Sequence, residues 1–467
     1  MNFAESIVRS CKEHPNKTAC TICGRSVTYG ELAASALKLA ERLSSAAYGP
    51  TVIYGKRSTA FVSAILGCMI AERMYIPCDE SCPEMRLADI CRQSAAAAVI
   101  SDRPLCFTDM PDLILTAAFS GKKRAKGTNE LPVPHHKMLY TIFTSGSTGE
   151  PKGVPISAEN MQSFLDFACS DSGLGFTPND ITLGTSVFSF DLSCADIFPS
   201  LANGGTFISV SPEELAYPET WQTVRHITRL NCTPTFLRLL MTCPSFSAEY
   251  MPDLKTAVCC GEPLRAKTAV RFFARFPKAH LINAYGPTEA CCAVSASEIF
   301  PDEINEAEDL PCGDIKNAAC EIFLGKNNEI ILRGKSVFGG YLNAPQSVIR
   351  PDGSYPTGDK GRIENGRLYC ISRLDGMIKY KGYRIETGEI ESAACRFPNV
   401  DAAKVTAVRD SSGDVRGIKL TAFCNEKSGV SPASLIGFLS EYLPEYMLPT
   451  HTEISHNEHL TASGKIK

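Results

Sequence analysis

Apolar residues in this chain follow two recurring patterns: short unbroken runs, and stretches in which they return every three or four positions. These are the signatures of buried strands and of amphipathic helices. "TVIYG" from Thr51 is of the first kind and "GELAASALKLAERLSS" from Gly30 of the second, while "EMRLADICRQS" from Glu84 predicts a helix running straight into the strand-like "AAAAVIS". The alternation recurs through Leu254–Val258, the helical "AKTAVRFFARFP" and the strand "AHLINAYG". Strands alternating with helices predict an α/β architecture with largely parallel sheets.

Beyond about residue 320 the texture changes. "CEIFLGKNNEIILRGKSVFGGYL" and "GRIENGRLYCIS" are short β runs separated by Gly, Asn and Lys turns, as in a small barrel or meander. The last part carries two strand-like runs around "RDSSGDVRG", a helix "PASLIGFLSEYL" and a polar tail. The expected organisation is a large N-terminal core, residues 1–374, of α/β subdomains with a small β-barrel-like part, followed by a small mobile α+β domain, residues 375–467. No internal repeat or low-complexity segment interrupts it.

With 467 residues, 44% hydrophobic and 21% charged, the composition is that of an ordinary globular protein and excludes a disordered or fibrous chain. A net charge of -4 with dispersed lysines and arginines gives no footprint of a nucleic-acid binder. "MNFAESIVRSCKEHP" lacks the apolar core of a secretion signal, and apolar runs such as "FVSAILGCMIA" are too short for membrane insertion. A cytoplasmic protein is expected, and its 21 cysteines read as reduced thiols. The lone C-x-x-C of Cys20 and Cys23 has no second pair at zinc spacing, so packing is the expectation there.

The segment "TIFTSGSTGEPKGVPIS", residues 141–157, holds six hydroxyl residues, three glycines and one lysine. Glycines let a backbone approach phosphate, hydroxyls donate to its oxygens, and lysine supplies a compact charge. It is not a Walker A loop, because Glu150 and Pro151 separate Gly149 from Lys152. It follows the strand-like "MLYTIF". Composition and spacing thus point to an anion-binding loop.

"TSGSTGEPKG" resembles the phosphate-loop signature of the adenylate-forming superfamily, which includes nonribosomal-peptide adenylation domains, acyl-CoA synthetases and luciferases. "VTYGEL", "MYIPCDESCPEMR", "FSFDLS", "NAYGPTEA", "YPTGD", "SRLDGMIKYKGYRIETGEIE" and "LTASGKIK" follow in the family's order along essentially the whole chain. The resemblance implies two half-reactions: a carboxylate attacks the α-phosphorus of ATP, giving an acyl-adenylate and pyrophosphate, and a thiol then displaces AMP. It implies that Thr144, Ser145, Gly146, Ser147, Thr148, Gly149 and Lys152 hold the β- and γ-phosphates and that Glu289 binds Mg²⁺. Asn283, Ala284, Tyr285, Gly286 and Thr288 would surround the nucleotide, with Asp359 and Arg373 on its ribose. Lys465 would bridge the substrate carboxylate and the α-phosphate. The small domain would then turn about Asp375, withdrawing Lys465 and presenting Gly382 to the thiol arm.

Asp191 in "FSFDLS" implies an α-amino acid, since amino-acid-activating members place an aspartate there against the substrate ammonium; a helix-capping Asp is the plainer alternative. "CCGEPL" and "INAYGPTEACCAVS" are most similar to the D-alanine carrier protein ligases. Leu192, Ala195, Asn231, Val258, Cys260, Ala284, Cys292 and Ala293 would line the side-chain pocket. Small Ala195 and Cys292 in place of valine suggest room beyond alanine, so another amino acid and an acid–CoA ligase remain alternatives. Ser372 and Asn328 stand where the family carries glycine, both in turn-like contexts. The chain ends at Lys467 without a carrier domain, so a separate phosphopantetheinylated carrier protein is expected.

Overall fold

The computed structural model describes residues 3–105, 114–116, 131–134, 137–146, 150–306, 308–342, 348–374, 377–410, 413–424 and 429–456. Two large sheets organise the N-terminal part. The first has six strands in the order Ile114–Thr116, Ala98–Ser101, Thr51–Gly55, Tyr75–Asp79, Met138–Thr144 and Lys152–Ser157, parallel except for the last pair. The second has eight, with a parallel centre formed by Ile181–Gly184, Arg229–Cys232 and Thr256–Cys259 and antiparallel edge strands at both ends.

The helices between these sheets explain why two sheets share one core. Thr59–Ile70 is apolar all round and almost wholly buried, as a helix covered on both sides must be. Tyr29–Leu43 instead buries one stripe, Leu32, Ala36, Leu39 and Leu43, and starts at a capping box between Thr28 and Glu31. The helix Asp191–Ala202 is buried along nearly its whole length, so its first residue is fixed at the edge of the core.

The part expected to be barrel-like is an open five-stranded antiparallel sheet. Its edge strands Gly313–Asp314 and Glu321–Leu324 do not pair with each other, so no barrel closes. From Ile378 onward a smaller domain has its own apolar core, built from Ile378, Ile385, Ile390, Ile418, Leu435 and Leu439 among others. It comprises the hairpin Ile378–Tyr380 and Tyr383–Ile385, the helices Thr387–Cys395 and Pro432–Tyr442, and the strands Val400–Arg409, Val415–Cys424 and His451–His456. No helix among the described residues is long and apolar enough to cross a membrane.

Candidate active site

The phosphate-loop segment joins two paired strands, Met138–Thr144 and Lys152–Ser157, with Thr144 opposite Lys152. The "KGVPIS" end is therefore a strand, which fixes the lysine's backbone. Gly146 lies so close to the returning chain that an added Cβ would stand 1.8 Å from the Glu150 carbonyl oxygen, a spacing only glycine allows. The Lys152 ammonium lies 5.5 Å from the centre of the Tyr341 ring. Ser147, Thr148, Gly149, Asp375 and Lys465 lie outside the described residues.

Glu289 is 0% exposed, in a short helical turn after the strand His280–Tyr285. Tyr341 donates its hydroxyl to Glu289 Oε1 at 2.7 Å, and Arg384 Nη1 reaches both carboxylate oxygens at 2.8 and 3.0 Å. Burial alone would raise this carboxyl's pKa, but the Arg384 charge and the Tyr341 hydroxyl hold it below the usual range. Glu289 is thus ionised, and it already faces a cation.

Asp359 is buried and receives two side-chain donors, Tyr285 Oη at 2.8 Å and Arg373 Nη1 at 3.0 Å. Asn283 donates to the Pro311 carbonyl at 2.9 Å. Asn283, Ala284, Tyr285, Gly286, Asp359 and Arg373 line one cleft of ≈ 730 Å³. Gly286 permits close passage of the chain here, since a Cβ would stand 2.2 Å from the Cys292 carbonyl oxygen.

A second cleft of ≈ 760 Å³ adjoins the first and shares Gly261, Gly286, Asp359 and Arg373 with it. Asp191 lies in this cleft at the start of its helix, where the Thr288 side chain hydrogen-bonds to it. Desolvation raises the Asp191 carboxyl above the ordinary carboxylate range, against the Thr288 bond, and the neighbouring Glu289 charge raises it further. Leu192, Cys260 and Cys292 line the same cleft. The thiols of Cys260 and Cys292 touch, and together with burial this contact pushes the Cys292 thiol well up. Ala195, Asn231, Val258 and Ala293 are buried and line neither cleft; Asn231 donates instead to Asp196 at 2.7 Å.

The model of the AMP-binding enzyme family matches residues 7–342. A D-alanine–D-alanyl carrier protein ligase of Bacillus velezensis is 34% identical across 100% of this chain and 98% of its own length. The like-named protein of Bacillus licheniformis is 33% identical over the same shares. The chain belongs to the AMP-binding enzyme family. It is an adenylate-forming ligase, and such enzymes use ATP.

Solved structures show the same fold in other AMP-binding enzymes. The Vibrio cholerae adenylation domain AlmE, solved with glycyl-adenosine-5'-phosphate, superposes with a TM-score of 0.84 at 21% identity, over 99% of this chain and 96% of that one. An o-succinylbenzoate CoA synthetase of Bacillus subtilis gives 0.81 at 19%, over 99% and 97%. One of these structures holds an aminoacyl-adenylate and the other is a CoA synthetase, so the fold alone does not fix the acceptor, which has to be argued from the site.

Gly382, expected from the resemblance to meet the thiol arm, lies in the second cleft, and sequence reasoning did not assign the partners that the geometry of this AMP-binding enzyme brings around it and around the phosphate loop. The hairpin at Gly382 enters this cleft, with φ +85 at the glycine and its N–H donating to Glu262 Oε1 at 2.6 Å. Tyr383 stacks on Tyr446 with ring centres 3.9 Å apart and meets Phe190 edge-on. Glu389 pairs with Arg86, and its Oε2 accepts from the Gly146 N–H at 3.1 Å. The charge density of "RIETGEIE" was the available signal; nothing local says which partners those charges meet.

Proposed function

We propose that this AMP-binding enzyme activates a small α-amino acid, D-alanine first among them, as its aminoacyl-adenylate and passes it to the phosphopantetheine thiol of a carrier protein. The observation that carries this reading is Asp191, a carboxyl group in the wall of the cleft beside the nucleotide cleft, where desolvation and the neighbouring Glu289 charge disfavour its ionised form. Such a group is costly unless a cation meets it, and a substrate ammonium is that cation. The names of the 34% and 33% identical relatives support D-alanine and a carrier as substrates, and Cys260 and Cys292 line the same cleft as Asp191.

In the first half-reaction a carboxylate oxygen of the amino acid attacks the α-phosphorus, and the bond from that phosphorus to the oxygen bridging it to the β-phosphate breaks. Asp359 accepts hydrogen bonds from the ribose hydroxyls, while the Tyr285 ring covers the base. The Gly146 N–H, the Ser145 hydroxyl and the Lys152 ammonium hold the departing phosphates. Lys465 meets the negative charge that builds between carboxylate and α-phosphate. In the second half-reaction a thiol sulfur attacks the acyl carbon beside Gly382, and AMP leaves with the electrons of the former C–O bond.

Glu289 fits a Mg²⁺ ion: it is an ionised, buried oxygen donor next to the phosphate loop, and the position it faces already takes positive charge from Arg384. No group of three or more candidate ligands stands among the described residues, so the metal would complete its shell from phosphate oxygens and water, the usual habit of Mg²⁺. When bound it neutralises the phosphate charge during displacement.

Exchange of labelled pyrophosphate into ATP, screened over D- and L-amino acids with holo-carrier and CoA compared as acceptors, tests the reading. Exchange with D-alanine and thioester formation on the carrier support it. Exchange driven only by fatty or aryl acids, or acylation of CoA alone, overturns it.

A further inference from the structure

Behind the second cleft, the helix Asp191–Ala202 meets the eight-stranded sheet through a buried polar contact that neither half-reaction uses. Asp191 and Leu192 line the cleft, and Asp196 lies one turn beyond Leu192 on the same helix face. Asp196 is 1% exposed, and its Oδ1 accepts from Nδ2 of the equally buried Asn231 at 2.7 Å. Gly184, paired with Asn231 on the neighbouring strand, makes room for the carboxyl group: a Cβ there would stand 2.2 Å from Asp196 Oδ2. The two oxygens left over, Asp196 Oδ2 and Asn231 Oδ1, are both buried and neither has a hydrogen-bond partner.

Buried polar atoms are rarely left unpaired, and two orphaned acceptors flanking one bond between an acid and an amide lack a single hydrogen. We propose that Asp196 is a protonated acid that closes a two-bond ring with Asn231, donating Oδ2–H to Asn231 Oδ1 while accepting from Nδ2, and that this neutral ring positions both walls of the amino-acid pocket. An ionised carboxylate would need a cation. Arg229 is the cation of the neighbourhood, and it is turned elsewhere: Nη2 donates to the Gly175 carbonyl at 2.8 Å, Nε stands 3.5 Å from Asp180, and the guanidinium covers the Phe176 ring at 4.2 Å. Neither its Nε nor its Nη1 hydrogen-bonds to Asp196. Burial raises the Asp196 carboxyl well above the ordinary carboxylate range, against the Asn231 bond and the Arg229 charge, and the nearby Cys260 thiol adds to the rise.

The ring joins the two elements that shape the pocket. On one side is the helix that carries Asp191 and Leu192. On the other, Asn231 precedes Cys232, whose carbonyl accepts the N–H of the cleft residue Cys260 at 3.2 Å. The helix needs such a tie, because Pro199 in its interior has no N–H to offer the Ala195 carbonyl beside Asp196. Being uncharged, the ring also leaves Asp191 as the acid that an ammonium meets. This positioning role rests on the amino-acid reading of the cleft given above; the proton on Asp196 does not.

Infrared difference spectra of the full chain at neutral pH, wild type against Asp196→Asn, test the proton. The wild type is expected to show a protonated-carboxyl carbonyl band that the variant lacks, Asp191 being the same in both. Absence of that band means an ionised Asp196 and overturns the inference, whatever the substrate proves to be. D-Alanine-dependent pyrophosphate exchange tests the positioning. Asn231→Leu removes the ring and should raise amino-acid KM about tenfold, with ATP KM and kcat within about twofold of wild type. Asp196→Asn can rebuild two complementary bonds as an amide–amide pair and should hold amino-acid KM within about threefold of wild type. A rise in Asp196→Asn as large as in Asn231→Leu would mean that the charge matters rather than the ring, and a wild-type KM in Asn231→Leu would remove the positioning role. Absence of exchange with every amino acid overturns the substrate reading and the positioning role with it, while the band still decides the proton.

Discussion

Arg86 and Glu389, 303 residues apart in sequence, form an ion pair whose side chains are 6% and 3% exposed, one from each domain. Burial alone would lower the arginine's pKa, and the facing carboxylate more than offsets it. Removing one partner of a buried pair costs about 3–5 kcal/mol, chiefly the cost of the charge left behind. If the smaller domain lifts away, as expected from the family resemblance, water reaches that charge and the loss falls on docking rather than on folding. Arg86→Ala is expected to slow thioester formation on the carrier by at least about tenfold while pyrophosphate exchange and melting temperature stay near wild type. Equal loss in both half-reactions would mean that Arg86 supports the nucleotide site itself.

The raised pKa of Asp191 gives a pH dependence of defined sign. Its carboxyl holds a proton in the folded, substrate-free protein at pH values where the unfolded chain has lost it. The group's contribution to stability is therefore full below the ordinary carboxylate range and is lost as pH rises through the folded-state value. Above that value Asp191→Asn should melt higher than wild type without substrate, by a few degrees at most. The same variant should lose amino-acid-dependent pyrophosphate exchange by about a hundredfold or more, as expected for a lost charge pair. In the wild type, amino-acid KM should rise as pH falls through the Asp191 value. Undiminished exchange in Asp191→Asn would remove the ammonium from the proposal.

Asp359 already accepts from Tyr285 and Arg373, so its orientation is set before any sugar arrives. Asp359→Asn would keep the shape and lose the charge. Hydrogen bonds to charged groups contribute about 1.5–3 kcal/mol each, so ATP KM should rise at least about tenfold. Tyr285→Phe, which removes one orienting hydroxyl and keeps the ring, should raise KM less. An unchanged KM for ATP in Asp359→Asn would place the ribose elsewhere.

The parts legible in sequence were those whose meaning is local. The helix "EMRLADICRQS" runs Glu84–Ser94 as its spacing predicts, and the phosphate loop follows its strand. Asn328 has φ +60, a left-handed turn that asparagine tolerates in place of glycine. Ser372, also expected in a turn, instead lies in the strand Arg367–Arg373 opposite Lys360, because the preceding apolar run continues through it. What sequence did not disclose was long-range pairing. Glu389 reaches Gly146 across 243 residues, and no spacing rule links them. The pocket list was only partly informative for the same reason: Asn231 turns to Asp196 rather than to the cleft, a choice made by a neighbour on another element.

The contact between Cys260 and Cys292 leads to a prediction about side-chain choice. Cys292 has φ +76, next to Cys291 at φ +65, so its backbone is held in a turn that β-branched residues resist. Cys260 follows the strand Thr256–Cys259 without such strain, which makes it the position to change. Cys260→Ala removes the sulfur that meets Cys292 and deepens the pocket beyond Leu192. One methylene in an apolar pocket changes discrimination by about 1–3 kcal/mol. Relative to alanine, kcat/KM in pyrophosphate exchange for 2-aminobutyrate should therefore rise by about tenfold, with alanine itself reduced a few-fold by lost contact. If alanine and 2-aminobutyrate keep their wild-type ratio, the side chain is not directed at the two thiols, and its pocket must be sought along the other wall of the cleft, toward Thr185 and Phe236.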